Sequence, residues 1–185
     1  MNLLSHTPLL IIDVQKAFDD PKWGERNHPE AEANLKLLLA AWRASGRPVW
    51  FVQHLSRSES SLFHPDQPTC AFKEGLEPVE GEPVFRKTVN SSFIGTDLEP
   101  SLRRLGCEQL VIAGLTTNHC VETTTRMAGN LGFQPILVED ACATFGRRGP
   151  DGTYYPPEQI HEMTLVNLHE EFARIATTRE VLGMV

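Results

Sequence analysis

Short apolar runs alternate with amphipathic segments along most of the chain. Four runs are continuously apolar, which is typical of strands buried on both faces of a parallel sheet. They lie at residues 9–12, 49–52, 110–113 and 135–138. Shorter runs at 83–86 and 173–177 predict two further strands, the second at an edge of the sheet.

Between the strands, apolar residues recur at helical spacing. The pattern predicts helices at about 29–45, 96–105, 118–131 and 158–171. Gly46, Gly106 and Gly132 follow the first three as C-terminal stops. Strands that alternate with helices predict an α/β fold with a parallel, doubly wound sheet and helices on both faces. With 185 residues, we expect one domain spanning 1–185.

Composition and charge narrow the class of protein. The net charge of −7 and the pI near 5.5 argue against binding to nucleic acid or to an anionic membrane. No apolar run approaches the roughly 18 residues that span a bilayer, and no basic segment typical of a secretion signal precedes the first strand. We therefore expect a cytoplasmic protein. The four cysteines form no CxxC pair, so no zinc ribbon or thioredoxin motif is present.

The stretch from Leu110 to Gly132 places a cysteine where a nucleophile is useful. A buried strand is broken by Gly114, a polar loop follows, and Thr117 or Asn118 can cap the next helix. Cys120 then falls in the first helical turn, where the helix dipole favours a thiolate and backbone amides can hold an oxyanion. The alternative is that Cys120 is a small buried apolar residue.

Two charged residues follow other strands at the same edge of the sheet. Asp13 comes directly after the first strand, and Lys87 comes at the end of the strand at 83–86. Ligands of such folds bind beyond the carboxyl ends of the strands, so Asp13, Lys87 and Cys120 can converge. Lys87 would lower the thiol pKa and Asp13 would act as general base. A purely structural Asp13–Lys87 ion pair is the alternative.

These residues and their neighbours carry a family resemblance. Asp13 after LLII, Lys87 before TVNSSF, and the run GLTTNHCVETT around Cys120 resemble the isochorismatase-like cysteine hydrolases, over nearly the whole chain. The resemblance implies a three-layer α/β/α sandwich with a six-stranded parallel sheet, and a homodimer or larger homo-oligomer. It implies an Asp13–Lys87–Cys120 triad, an oxyanion hole from the amides of Thr116 and Cys120, and a cis peptide between Leu115 and Thr116.

The resemblance also guides the choice of reaction. A cysteine at this position implies hydrolysis of a C–N bond, and the run from Thr116 to Phe133 is similar to streptothricin hydrolase, which opens a cyclic amide. We therefore expect a small-molecule amide or lactam as substrate. Family members that cleave a vinyl ether, as in isochorismate, do not depend on this cysteine. That reaction is the alternative, together with a non-catalytic binding protein that keeps the fold.

Nicotinamidases of this family hold a metal through an Asp-x-His motif after the second strand. Here the corresponding residues are Val52, Gln53 and His54, so the Asp of the motif is missing. His64 and His119 are the other histidines that could contribute to a metal site. We therefore expect no metal and no cofactor. A redox role for Cys120 would need a resolving thiol, for which Cys142 is the candidate.

Several further residues are candidates for contact with substrate. Phe18, His54, Asn90, Phe93 and His119 are predicted to line the pocket. Trp23 and Phe63 lie in segments expected around the same mouth, and Ser91 follows Asn90. Two long loops, at 55–83 and 145–156, are predicted to form its walls. Arg147 and Arg148 in the second loop either attract an anionic substrate or form a solvated basic pair.

Overall fold

Six parallel strands form the centre of the molecule in a computed structural model that describes residues 3–185. The strands in chain order are β1 (Leu9–Ile12), β2 (Val49–His54), β3 (Val84–Lys87), β4 (Gln109–Leu115), β5 (Gln134–Ala143) and β8 (Arg174–Ala176). Their order across the sheet is β3-β2-β1-β4-β5-β8, and every neighbouring pair is parallel. The predicted fold class is confirmed, including the edge position of the last strand.

Helices cover both faces of this sheet. They are α1 (Ala31–Ser45), α2 (Leu98–Arg104), α3 (Glu122–Asn130), α4 (Pro157–Leu168) and α5 (Thr178–Leu182). Helix α1 packs against α5, and α3 packs against α4. The chain crosses from β1 to β2 on one side of the sheet centre and from β4 to β5 on the other. Because such crossovers between parallel strands are right-handed as a rule, α1 and α3 lie on opposite faces. The chain thus forms an α/β/α sandwich.

The apolar pattern accounts for the core. Every residue of β1 is fully buried, and α1 buries Leu35, Leu38 and Trp42 on one face, as the helical spacing predicts. Gly46 ends α1 in the left-handed region, with φ of 67°. No helix among residues 3–185 is long and apolar enough to cross a membrane.

Three predicted boundaries are wrong. Strand β4 runs through Gly114, and β5 continues beyond Glu139 and Asp140 to Ala143, with a register shift against β4 between Ile112 and Gly114. A β-bulge of this kind allows β5 to continue beyond Glu139 and Asp140, the polar residues at which the apolar pattern ends. The last predicted helix ends at Leu168 instead of Glu171, before β8.

The helix predicted around Cys120 also differs from the prediction. Residues 117–121 form a π-helical turn, and regular α-helix begins only at Glu122. Thr116 takes the N-cap position, and its side chain makes no capping hydrogen bond. Neither Thr117 nor Asn118 caps the helix as predicted, because their side chains contact His161 and Thr144 instead. Helix α5, which the sequence analysis missed, begins at a capping box of Thr177 and Glu180.

The second long loop contains a small hairpin. Strands β6 (Arg147–Arg148) and β7 (Tyr154–Tyr155) pair antiparallel, with Arg147 opposite Tyr155 and Arg148 opposite Tyr154. The loop is therefore held by backbone hydrogen bonds rather than being an irregular excursion.

Candidate active site

Asp13, Lys87 and Cys120 meet at the carboxyl edge of the sheet. Asp13 directly follows β1, Lys87 is the last residue of β3, and Cys120 lies in the π-helical turn after β4. Asp13 has a φ of 51°, in the left-handed region that residues other than glycine adopt at a cost of about 1–2 kcal/mol. Such conformations concentrate at functional sites, where the surrounding structure holds them.

The Asp13 carboxylate and the Lys87 ammonium form a buried ion pair. Lys87 Nζ donates to Asp13 Oδ2 at 2.6 Å, and the two side chains are 0% and 1% exposed. The second carboxylate oxygen, Asp13 Oδ1, is buried and has no hydrogen-bond partner in the described part of the chain. Burying an acceptor without a hydrogen-bond partner has a desolvation cost. Because no donor occupies Oδ1, this oxygen is available to accept a proton.

The Cys120 thiol lies beside this pair. Its sulfur, a carboxylate oxygen of Asp13 and a ring nitrogen of His54 all lie within 4.8 Å of one another. Burial, reinforced by the negative charge of Asp13, raises the pKa of Cys120 to about 12, although Lys87 acts in the opposite direction. The resting group is a thiol, which needs a base before it can attack.

The turn around Cys120 is closed by its own backbone. The carbonyl of Thr116 accepts from the amide of His119 at 3.1 Å and from that of Val121 at 3.4 Å. The peptide bond between Leu115 and Thr116 is cis, as the resemblance implies. Thr116 and Cys120 both line the cavity described below.

Side chains from distant elements fix the same turn. Thr117 Oγ1 lies 2.9 Å from His161 Nδ1 on α4, and Thr144 Oγ1 donates to Asn118 Oδ1 at 2.5 Å. Burial lowers the pKa of His161 to about 4, with a smaller effect from neighbouring His28. His161 is therefore neutral at pH 7. Sequence reasoning missed it because its spacing on α4 is that of an ordinary core position.

Gly114 allows β4 to approach β1 closely enough for this arrangement. Its φ is 135°, and a Cβ built there would lie 2.1 Å from the carbonyl oxygen of Ile12. A side chain would push β4 away from the strand that ends at Asp13. The apolar pattern predicts that the strand ends at Gly114, whereas β4 runs through Gly114 and the glycine permits this close contact.

His54 lies at the end of β2, between the ion pair and the cavity. Its Nδ1 is 3.3 Å from Lys87 Nζ, and Gln15 holds its backbone by accepting from the His54 amide at 2.9 Å and donating to the His54 carbonyl at 3.1 Å. Burial and the charge of Lys87 lower the pKa of His54, so it is neutral at pH 7. Gln15, fully buried, is a positioning residue that the sequence analysis did not identify.

Asp13, His54 and Cys120 are also the residue types that could ligate a metal ion. However, Lys87 Nζ already contacts Asp13 at 2.6 Å and His54 at 3.3 Å. A metal ion among these three ligands would be repelled by that ammonium and would compete with it for the same carboxylate. His64 does not belong to this group of ligand atoms, and its Nδ1 lies 3.7 Å from Asp66 Oδ2. The residues present do not fit a nicotinamidase-type metal site.

A cavity of about 130 Å³ opens over the thiol. Of the predicted substrate-binding residues, Phe18, His54, Asn90 and His119 line it. Phe93 does not, and that prediction is corrected: it is buried and its ring packs 6.2 Å from that of Phe133 in the core.

Four aromatic rings form one wall of this cavity. Phe18 lies between the others, with ring centroids 4.9 Å from Phe63, 5.5 Å from Trp23 and 6.1 Å from Phe145. Trp23 stacks on Phe145 at 5.7 Å. Phe145 was missed because β5 was predicted to end several residues earlier.

Comparisons with known proteins agree with this architecture. The model of the isochorismatase domain matches residues 7–180. An uncharacterised isochorismatase family protein, YrdC from Bacillus subtilis, is 52% identical over 95% of this chain and 94% of its own length. The ureidoacrylate amidohydrolase RutB from Agrobacterium fabrum is 30% identical over 98% of this chain and 90% of its own length.

A crystal structure supports the same assignment. An isochorismatase-family structure from Chromobacterium violaceum superposes with a TM-score of 0.97 at 44% identity, covering 100% of this chain and 96% of the other. The domain match, the sequence relatives and the shared fold extend over almost the whole chain. The protein belongs to the isochorismatase family of hydrolases.

Proposed function

We propose that this hydrolase cleaves the C–N bond of a small amide or lactam through a thioester on Cys120. The main support for the proposal is that the two carboxylate oxygens of Asp13 have different surroundings. Its Oδ2 is fixed by Lys87, whereas its buried Oδ1 has no partner among residues 3–185, and the thiol lies within 4.8 Å of the carboxylate. A thiol with a pKa of about 12 requires such a base.

In the first half of the reaction, Asp13 takes the thiol proton while the sulfur attacks the carbonyl carbon. The S–C bond forms, the carbonyl oxygen becomes an oxyanion, and the amides of Thr116 and Cys120 would donate to it. The C–N bond then breaks as Asp13 returns its proton to the nitrogen. The products are an amine or ammonia and the thioester; from a lactam, the amine stays attached to the acyl chain.

In the second half, water attacks the thioester and Asp13 accepts a proton from it. The C–S bond breaks, the sulfur recovers a proton, and a carboxylic acid leaves. Lys87 stays beside Asp13 throughout, and its positive charge favours the transient thiolate.

The bond class is supported by the relatives. RutB is named an amidohydrolase, and its match covers nearly all of this chain. The main alternative within the family is vinyl-ether hydrolysis, which needs no thiol. A redox role is less well supported, because Cys142 lies fully buried within β5 and burial raises its pKa to about 12.

The test is product release from a panel of primary amides, lactams and isochorismate, with ammonia measured for the amides and mass spectrometry used for the lactams. Wild type would be compared with Cys120→Ala and with Cys107→Ala, whose thiol is buried outside the cavity. We expect turnover of an amide or lactam that Cys120→Ala loses and Cys107→Ala keeps. Equal activity in wild type and Cys120→Ala would contradict the proposal, and isochorismate cleavage by both would favour the alternative.

A further inference from the structure

We propose that Arg147 is a specificity-determining residue that binds a carboxylate, so that the substrate is a small amide carrying a negative charge. The proposal rests on the proposed function only for the nature of the bond cleaved. The binding preference itself follows from the side chains around the cavity.

Arg147 is directed to the cavity by the hairpin that carries it. It pairs with Tyr155 across β6 and β7, and it lines the cavity together with Cys120. Successive residues of a strand point to opposite sides, so its neighbour Arg148 points away. Arg148 lies 5.8 Å from the Tyr154 ring centroid and donates to the carbonyl of Gly152 at 3.1 Å. The chain thus contains two adjacent arginines, of which one faces the site.

Arg147 is an uncompensated charge on the wall. No ion pair or side-chain hydrogen bond between residues 3 and 185 includes it. The one carboxylate on the wall, Asp13, is already neutralised by Lys87. Burial together with the charge of Arg147 lowers the pKa of His119, so this neighbour stays neutral and adds no second positive charge at pH 7. A guanidinium with free donors matches a carboxylate in geometry and charge.

The rest of the wall limits the size and shape of the ligand. The cavity volume of about 130 Å³ is well below the roughly 300–1,000 Å³ of pockets that hold drug-sized ligands. The aromatic rings of Phe18, Trp23 and Phe145 make one wall of the cavity apolar. A short, planar or extended amide acid of a few carbon atoms therefore fits, with its amide carbonyl at Cys120 and its carboxylate at exposed Arg147.

The proposal is tested by binding rather than by turnover. Cys120→Ala serves as the parent protein, and calorimetry measures the affinities of two matched pairs: fumaramate against fumaramide, and succinamate against succinamide. Each pair differs in one carboxylate that replaces an amide of the same shape. The measurements are repeated with Arg147→Gln and with Arg148→Gln, each in the Cys120→Ala background.

We expect the parent to bind at least one amide acid more tightly than its diamide. Arg147→Gln should weaken binding of the acid by about 10- to 100-fold and leave the diamide within about twofold, whereas Arg148→Gln should change neither. The preference should also shrink as ionic strength rises. Equal affinity of acid and diamide in the parent, or equal losses with both arginine variants, would overturn the proposal. Neither result bears on Cys120 as nucleophile, so the two proposals fail separately.

Discussion

Lys87 Nζ and Asp13 Oδ2 lie 2.6 Å apart although 74 residues separate them in the chain. Their strands, β3 and β1, are not neighbours, because β2 lies between them. His54, the last residue of β2, is in register with Lys87 and contacts its ammonium at 3.3 Å. The ends of three adjacent strands therefore hold one buried charge pair, which is either part of the chemistry or only a structural ion pair.

The first prediction separates these two roles. Asp13→Asn and Lys87→Met each leave one buried charge without its partner, so each should lower the free energy of unfolding by about 3–5 kcal/mol. The double variant Asp13→Asn/Lys87→Met removes both charges and should regain most of that stability. Its activity should stay at least about 1,000-fold below wild type, because the base is gone. Urea unfolding and the amide assay measure both quantities.

A purely structural pair gives a different pattern. The double variant would then recover activity along with stability, since the fold around Cys120 would be restored. That result would remove Asp13 from the mechanism.

The second prediction concerns the reactivity of the thiol. The negative charge of Asp13 is, after burial, the main cause of the raised pKa of Cys120. Asp13→Asn should therefore lower that pKa and speed alkylation of Cys120 by iodoacetamide at pH 8, by about threefold per unit of pKa. Lys87→Met should slow it. Turnover and thiol reactivity would then change in opposite directions in Asp13→Asn.

Peptide mapping supplies the internal control for alkylation. Cys142 is fully buried in β5, so it reports any loosening of the fold in the same sample. Faster alkylation of Cys120 counts only if Cys142 stays unmodified. Slower alkylation of Cys120 in Asp13→Asn would contradict the assigned cause of the pKa shift.

The third prediction concerns the contact between β4 and β1. A Cβ at Gly114 would lie 2.1 Å from the Ile12 carbonyl oxygen, so Gly114→Ala should destabilise the protein by about 3 kcal/mol or more and reduce activity. Gly81→Ala is the matched control, because Gly81 has φ of +89° and nothing within 4 Å of a built Cβ. Gly81→Ala should lower the free energy of unfolding by only about 1 kcal/mol, which is the cost of placing alanine in left-handed backbone. Equal losses in urea unfolding would mean that strain in φ, not the close contact, explains Gly114.

The fourth prediction uses the pH dependence of stability. Burial lowers the pKa of His161 from 6.5 to about 4 in the folded state. Between these values the unfolded chain binds more protons, so stability falls as the pH drops from 6.5 towards 4. At pH 5 the loss from this residue is about 2 kcal/mol relative to pH 7.

His161→Asn should remove that part of the acid sensitivity, whereas His169→Asn, at an exposed position, should not. The measurement is urea unfolding at pH 7 and pH 5. Parallel losses in wild type and His161→Asn would contradict the assignment of the titrating group.

The sequence predicts those features that depend on local periodicity. The strands at 9–12 and 49–52 are buried and continuous, so their apolar runs are unambiguous. The convergence of Asp13, Lys87 and Cys120 follows from a general property of parallel sheets, whose carboxyl ends share an edge.

Features that depend on long-range packing were missed. Whether Cys120 rests as thiol or thiolate is decided by burial, which the sequence does not reveal. The extension of β5 to Ala143 depends on a bulge against β4, and it brings Phe145 to the cavity. Phe93 was placed at the cavity because it follows Lys87 closely, but the turn between them directs its ring to Phe133.

Intact-protein mass spectrometry of a rapidly quenched reaction tests directly whether Cys120 forms a covalent intermediate. Wild type is mixed with a substrate found in the panel, quenched in acid within the first turnovers and digested to locate any adduct. Covalent catalysis by Cys120 predicts an acyl adduct on the peptide containing this residue, which forms and decays at rates compatible with turnover and is absent in Cys120→Ala. Full turnover with no adduct at any time, together with activity in Cys120→Ala, would contradict covalent catalysis by this cysteine.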